Sequence, residues 1–303
     1  MSKKKKLTHD QIIDKLRNDK DYYGDYGANW MSNSDIKNLQ EDTFKQFKGR
    51  PEDSENLVKG RYFHQSILEP EKIIDFPIWK DTEIRGKAYK EYLAEHGLVY
   101  MLKESEAEEI QEMIVNFLSR NEQLTKLITH NDAEYEVPMV GEIFGHPFKA
   151  KADIISEGIV IDLKTTSANT IQKFIYDGRN RYFYDTQAFI YQTLFKKPMT
   201  FVAVDKNRRY YNNTKEYYWE IYVCPASEET VLQGKQKVEM ALQLYEKYYG
   251  ENKIDDIQWL ITTNTKTEKQ QFLKTSTRTR NQNLILKVLE LLLTERKLSS
   301  EDG

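Results

Sequence analysis

Asp153 stands nine residues ahead of an Asp162-Leu163-Lys164 triplet, and Gln187 and Tyr191 follow on a later predicted helix. Two short apolar strands flank a Ser156-Glu157-Gly158 turn, a pattern that predicts a hairpin bringing both aspartates to one end of a sheet. Two hard carboxylates converging there suit Mg²⁺. A lysine just beyond the second adds positive charge beside the ion. That combination is equipment for hydrolysing a phosphodiester.

The triplet alone is weak, because Asp-x-Lys arises by chance roughly once in a charged chain of this length. It recurs here at Asp35-Ile36-Lys37, in a polar, helical-looking stretch to which no chemistry is assigned. Asp162 differs in its setting, since residues 158–163 read as a buried, β-branched strand. A charge in such a strand costs free energy unless it is paired or binds a metal. The plainer alternative is a half-buried strand whose Asp162 and Lys164, sharing a face at i and i+2, form a weak surface ion pair.

Further motifs follow in order. Gly60 to Pro70 forms a helix-like run carrying His64 and ending in Leu68-Glu69-Pro70. Ala133-Glu134-Tyr135-Glu136 opens the predicted sheet, and Gln187 and Tyr191 are spaced i and i+4. With Asp153 and Asp162-Leu163-Lys164 between them, these stretches resemble the RecE-type exonucleases of phages and prophages, within the PD-(D/E)XK nuclease superfamily. The Gln-xxx-Tyr helix is similar to that of its RecB-like branch. The lead-in from Trp30 to Lys37 and the Arg85 to Tyr89 segment share the look, so the likeness spans about residues 22 to 250.

The resemblance implies roles for individual residues. His64, Asp153 and Asp162 are expected as metal ligands, with the backbone carbonyl of Leu163 completing the protein's share. Lys164 is expected to position or activate the attacking water and stabilise phosphoryl charge. Glu134 is expected to add a carboxylate, with Glu136 two residues on as the alternative on the same strand face. Gln187 and Tyr191 are expected to hold DNA near the scissile phosphate. The implied ion is Mg²⁺, with Mn²⁺ as substitute, since imidazole joins such a shell only where oxygen ligands dominate. The implied substrate is linear double-stranded DNA, entered at an end by a ring-shaped homo-oligomer. It is digested from the 5′-ended strand to leave a 3′ single strand for recombination. An endonuclease or structure-specific nuclease on the same fold is the runner-up, and a catalytically silent DNA-end-binding module the third reading.

Each residue also has a plainer reading. Taken by itself, His64 beside Phe63, Ile67 and Leu68 reads first as a partly buried, hydrogen-bonded histidine. Gln187 and Tyr191 share a helical side with Tyr184, Ala188 and Phe195, as a packing stripe would. Lys173, Arg179 and Arg181 are either a solvated face or a phosphate track beside the site.

Net charge is only −3 over 303 residues, with 31% charged and 39% hydrophobic. No global basic field announces nucleic acid, so a nuclease of this composition must keep its cations local. The nominated lining is Lys149, Lys151, Lys173, Arg179, Arg181, Lys206, Arg208 and Arg209. The twenty tyrosines include possible base-stacking residues, unsorted by sequence. A single cysteine, Cys224, excludes an internal disulfide and a four-cysteine iron–sulfur cluster, and reads as a packed thiol. No phosphate-loop motif appears, so no nucleotide is expected and any helicase partner is a separate chain. Without a secretory segment or long apolar span, a cytoplasmic location in a bacterial host and no membrane contact are expected. Lys3 to Lys6 read as a solvated tail.

Periodicity predicts helices at 10–17, from Ser32 or Ser34 through Phe47, from Asn56 to Pro70, at 87–97 and at 104–129. Strands are predicted at 134–143, 147–155 and 159–165, with a turn at Gly145-His146-Pro147. One or two helices to about 195, strands at 199–205 and 217–223 and a helix at 227–249 complete the order. The expected fold class is α/β: a mixed central sheet flanked by helices, a restriction-endonuclease-like core, with an N-terminal helical region. The expected division is a lead-in over 1–55, a nuclease domain over 56–255, and a polar connector with an amphipathic helix over 256–303. That last helix, with Leu284, Ile285, Val288, Leu289, Leu291 and Leu292 on its stripe, is expected to dock on its own domain. The alternative is a handle for a neighbouring subunit or a single-strand annealing protein.

Overall fold

A computed structural model describes residues 7–41, 53–80, 86–211 and 215–250. The predicted helical stretch from 42 to 47, the Lys3 to Lys6 tail and the 256–303 segment lie outside the described residues. The elements, in chain order, begin with α1 (His9–Leu16), α2 (Asp19–Tyr23), α3 (Asn33–Gln40) and α4 (Glu55–Leu68). Then come β1 (Ile78–Trp79), α5 (Lys87–Glu95), β2 (Leu102–Lys103), α6 (Glu104–Arg120) and α7 (Glu122–Ile128). The second half holds β3 (Glu134–Ile143), β4 (His146–Ser156), β5 (Ile159–Thr166), α8 (Ile171–Asp177), α9 (Tyr184–Phe195), β6 (Met199–Tyr210), β7 (Tyr217–Pro225) and α10 (Glu228–Tyr249).

The five long strands form one sheet in the order β3-β4-β5-β6-β7. It is antiparallel except for the parallel β5–β6 pair, which α8 and α9 connect. Two-residue turns join the first three strands. Both Phe144-Gly145 and Glu157-Gly158 have positive φ throughout, the backbone that tight hairpins need. β4 therefore starts at His146, one residue earlier than the sequence pattern suggests. The 104–129 stretch is two helices, because Asn121 leaves the helical region and its side chain caps α7 through the Leu124 N–H. β6 runs on to Tyr210 past an irregularity between Val204 and Arg208.

Helices cover both faces, which is what a strand set apolar on both sides demands. On one face α4, α6 and α7 bury Phe63, Phe117 and Ile128 against Ile161, Leu163, Val202 and Trp219. On the other, α9, α10 and α3 bury Ala188, Ile190, Val238 and Ile36 against Ala152, Phe148 and Phe201. Described residues of the N-terminal lead-in pack on the sheet. Met31 pairs with Phe148 on β4, and Leu16 and Tyr22 pack on Val140 of β3. Asp35 caps α3: its carboxylate accepts from the Ser32 N–H at 2.7 Å and from the Ser32 hydroxyl at 2.8 Å. The second Asp-x-Lys is thus a capping device.

Candidate active site

The β4–β5 ladder stops at the Ile154–Ile161 pair. One step further, continued register would set Asp153 directly opposite Asp162. Like charges across a ladder repel, and here the strands part. The Leu163 N–H then donates to Asp153 Oδ2 at 2.7 Å, in place of a ladder partner. Asp162 is buried, 2% exposed, and its Oδ1 accepts from the Gln187 amide at 2.6 Å. Its Oδ2 carries no hydrogen bond of ordinary geometry, although the Lys164 ammonium lies against it as an ion pair. α4 lays His64 over the gap. Its Nδ1 is 3.5 Å from Asp153 Oδ2, and the ring also reaches the Leu163 backbone carbonyl.

The third carboxylate is Glu136. Both it and Glu134 belong to β3, and simple alternation gives them one face. Glu136 instead has φ of 51° and drops out of the ladder between the Tyr135–Ile154 and Val137–Ala152 pairs. That break turns Glu136 toward Asp153 and leaves Glu134 exposed at the strand's start. A left-handed φ at a non-glycine residue is strain of the kind that gathers at functional sites. Of the two glutamates in the sequence reading, the structure brings Glu136 to the site.

Burial and neighbouring carboxylates shift two of the acidic groups. Burial and then the adjacent Asp162 hold the Asp153 carboxyl well above the usual range. Burial and then Asp153 push Glu136 up to about 7. Burial, helped by Lys164, pushes His64 down to about 4, so its ring is neutral near pH 7 and its contact with Asp153 is not an ion pair there. Burial disfavours the Lys164 ammonium too, but Asp162 and Asp153 outweigh it and keep the lysine charged. Among the described residues no three His, Cys, Asp or Glu side chains are already gathered around one point. The donor set nevertheless fits a hard divalent ion. Carboxylates, a carbonyl and a neutral imidazole face one gap, and one buried carboxylate oxygen lacks a hydrogen bond.

Gln187 and Tyr191 both point inward. Gln187 is 8% exposed and clamps Asp162, while the Tyr191 hydroxyl donates to the Lys151 carbonyl at 2.9 Å, two residues before Asp153. The shared helical side in the sequence thus serves to fix the two aspartate-bearing strands. The nominated cations separate by partner. Lys151 is buried between Asp19 at 2.5 Å and Glu136 at 3.5 Å, and Lys149 donates to the Tyr22 carbonyl at 2.5 Å. Lys173 pairs with Asp177, Arg179 with Glu229, Arg208 with Glu109 and Glu112, and Arg209 with Asp205 and Glu220. Arg181 lies over the Tyr182 ring at 5.4 Å, and Lys206 donates to the Asn56 side-chain oxygen at 2.7 Å. Cys224 lies on β7, partly buried and unbridged. Asp19, which ties α2 to Lys151 and to Lys72, was not legible as part of this region, because no local pattern links residues so far apart.

The sequence matches, over residues 32–253, the family described as "PDDEXK-like domain of unknown function (DUF3799)". The chain belongs to that family. The mixed sheet with its parted Asp153 and Asp162 strands is therefore a PD-(D/E)XK-type nuclease fold, as the ordered motifs suggest. A solved structure of a candidate exonuclease from Eubacterium rectale shares this fold, with 19% identity, 76% of this chain and 85% of that chain covered, and a TM-score of 0.51. A phage-related exonuclease from Haemophilus somnus 129PT aligns at 12% identity over 60% of this chain and 92% of its own, with a TM-score of 0.30. An alkaline exonuclease from Laribacter hongkongensis aligns at 14% identity over 59% and 86%, with a TM-score of 0.28. No curated protein matches the sequence. No helix among the described residues of this PDDEXK-like chain is long and apolar enough to cross a membrane.

Proposed function

We propose that the chain is a divalent-metal-dependent exodeoxyribonuclease that digests linear double-stranded DNA from its ends. The reading extends to removal of the 5′-ended strand, survival of a 3′ single strand, and action as a cyclic homo-oligomer in recombination. The observation that carries it is the gap between β4 and β5, where Asp153, Asp162, Lys164, His64 and the Leu163 carbonyl meet. Nuclease-fold membership and exonucleases among the structural relatives support the choice of reaction.

His64, Asp153, Asp162 and the Leu163 carbonyl would hold the ion, Mg²⁺ with Mn²⁺ as a substitute. When bound, the ion supplies Lewis acidity toward the phosphate and toward water. Asp162 and Asp153 favour the Lys164 ammonium against its burial, so Lys164 would position the attacking water and stabilise negative charge on the phosphoryl oxygens. Glu136, held near neutrality, can accept a proton there. Gln187 fixes one oxygen of Asp162, and Tyr191 fixes the β4 backbone beside Asp153. The test is digestion of linear against covalently closed duplex DNA, with strand-specific end labels, in Mg²⁺, Mn²⁺ or chelator. Metal-dependent loss of the 5′-labelled strand from linear DNA, with closed circles spared, is the expected result. Nicking of closed circles at the same rate would make it an endonuclease, and DNA binding without cleavage in any metal would make it an end-binding module.

A further inference from the structure

One stripe of α4 faces the C-terminal ends of β5 and β6. Asn56, Gly60 and His64 recur every four residues and so lie along one side of the helix. His64 reaches the Leu163 backbone, Gly60 faces Thr165, and Asn56 holds Lys206. The stripe therefore runs from the metal-binding gap to an ammonium. Eight residues of helix make that distance about 12 Å.

Gly60 is the unusual member. Glycine inside a helix weakens it, and packing does not require one here. An added Cβ would meet only the Thr165 hydroxyl, at 3.9 Å, an ordinary contact. Asn56 lies one turn earlier on the same side of the helix, with Lys206 held to its side-chain oxygen. Lys206 also differs from most nominated cations: its partner is an uncharged amide oxygen, whereas Lys151, Lys173, Arg179, Arg208 and Arg209 lie against carboxylates. The neighbouring Lys59 is itself held by Glu55 at 2.6 Å and Glu106 at 2.8 Å. Burial, and then the Lys59 charge, lower the Lys206 pKa against the smaller opposing pull of Glu55 and Asp205.

We propose that Lys206, Asn56 and Thr165, beside the side-chain-free position of Gly60, bind a phosphate of the DNA strand about 6–12 Å along α4 from the metal-binding gap. The inference rests on the nuclease reading and adds to it a site that fixes the strand's register over the metal.

The test uses the full chain carrying Asp162→Asn as a binding-competent, non-cleaving parent, with a fluorescent linear duplex titrated over a range of salt. Lys206→Gln is expected to weaken binding about tenfold and to reduce the salt slope by about 1. Lys206→Arg is expected to restore both. Gly60→Gln, which fills the side-chain-free position without adding charge in a helix that accepts it, is expected to weaken binding while thermal stability holds or rises. Duplexes with and without a 5′-terminal phosphate separate the two sources. Loss on both means a backbone phosphate is held, and loss only on the phosphorylated duplex means the terminal one. Unchanged affinity and slope in Lys206→Gln, beside a parent that binds, overturn the subsite and leave the nuclease reading intact. A parent that fails to bind, with a wild-type chain that fails to cleave, overturns both.

Discussion

Lys164→Met separates the electrostatics of the site from its chemistry. Lys164 is the cation lying against Asp162, whose side chain is only 2% exposed. Removing one partner of a buried pair costs about 3–5 kcal/mol, because the other charge is left uncompensated. The Lys164 side chain is 22% exposed and Gln187 still supports Asp162, so the smaller value of about 2–3 kcal/mol is expected. In a chain of this size that lowers the melting temperature by about 4–12 °C in chelator. A divalent ion supplies the missing charge at Asp162, so Mg²⁺ or Mn²⁺ should raise the variant's melting temperature more than the wild type's. Cleavage should stay about 10²–10³-fold down at saturating metal, because charge on the phosphoryl oxygens is no longer stabilised. Thermal melts with and without metal, and single-turnover digestion of linear duplex, measure the two effects. Near-native cleavage, or a stability loss that metal leaves untouched, would refute the reasoning that Lys164 and the ion share Asp162.

His64→Ala should raise the Mg²⁺ concentration for half-maximal cleavage about tenfold or more with little change in melting temperature. A lowered melting temperature with an unchanged metal titration would mark a packing histidine. Glu136→Gln should slow cleavage about tenfold or more while Glu134→Gln behaves as wild type, and the reverse order would return the site carboxylate to Glu134. The fourth prediction concerns pH. Glu106 accepts from Tyr100, from the Lys103 N–H and from Lys59. Burial raises its pKa, but Lys59 leads the bonds that outweigh this and lower it below the usual carboxylate range. Its stabilisation is therefore complete above the unfolded pKa near 4.5 and is lost as pH falls through the lower folded value. Glu106→Gln should destabilise the protein at pH 7 and shrink the difference from wild type in acid, as paired melts at pH 7 and pH 3 would show. A difference that grows in acid is the contrary result.

The sheet and the order of its chemistry were written locally, and local interactions explain why. Apolar β-branched runs, a Glu157-Gly158 turn with positive φ at both residues, and a helix stopped by Pro70 need only near neighbours to form. They sufficed to pair Asp153 with Asp162 and to place Lys164 beside them. The distinction between Glu134 and Glu136 was not available, because alternation puts both on one face and a single residue at φ 51° breaks the alternation. The inward clamps made by Gln187 and Tyr191 were also hidden. A polar stripe on a helix looks the same whether DNA or a strand lies opposite. Above all, the basic residues could not be sorted by sequence. Arg208 meets Glu109 at a separation of 99 residues, and Lys151 meets Asp19 at 132. Sequence by itself determined which groups could do chemistry and on which strands they stand. Tertiary structure decided which charges are already paired, which carboxylate joins the site and where the strands part, because each depends on contacts between segments that only folding brings together.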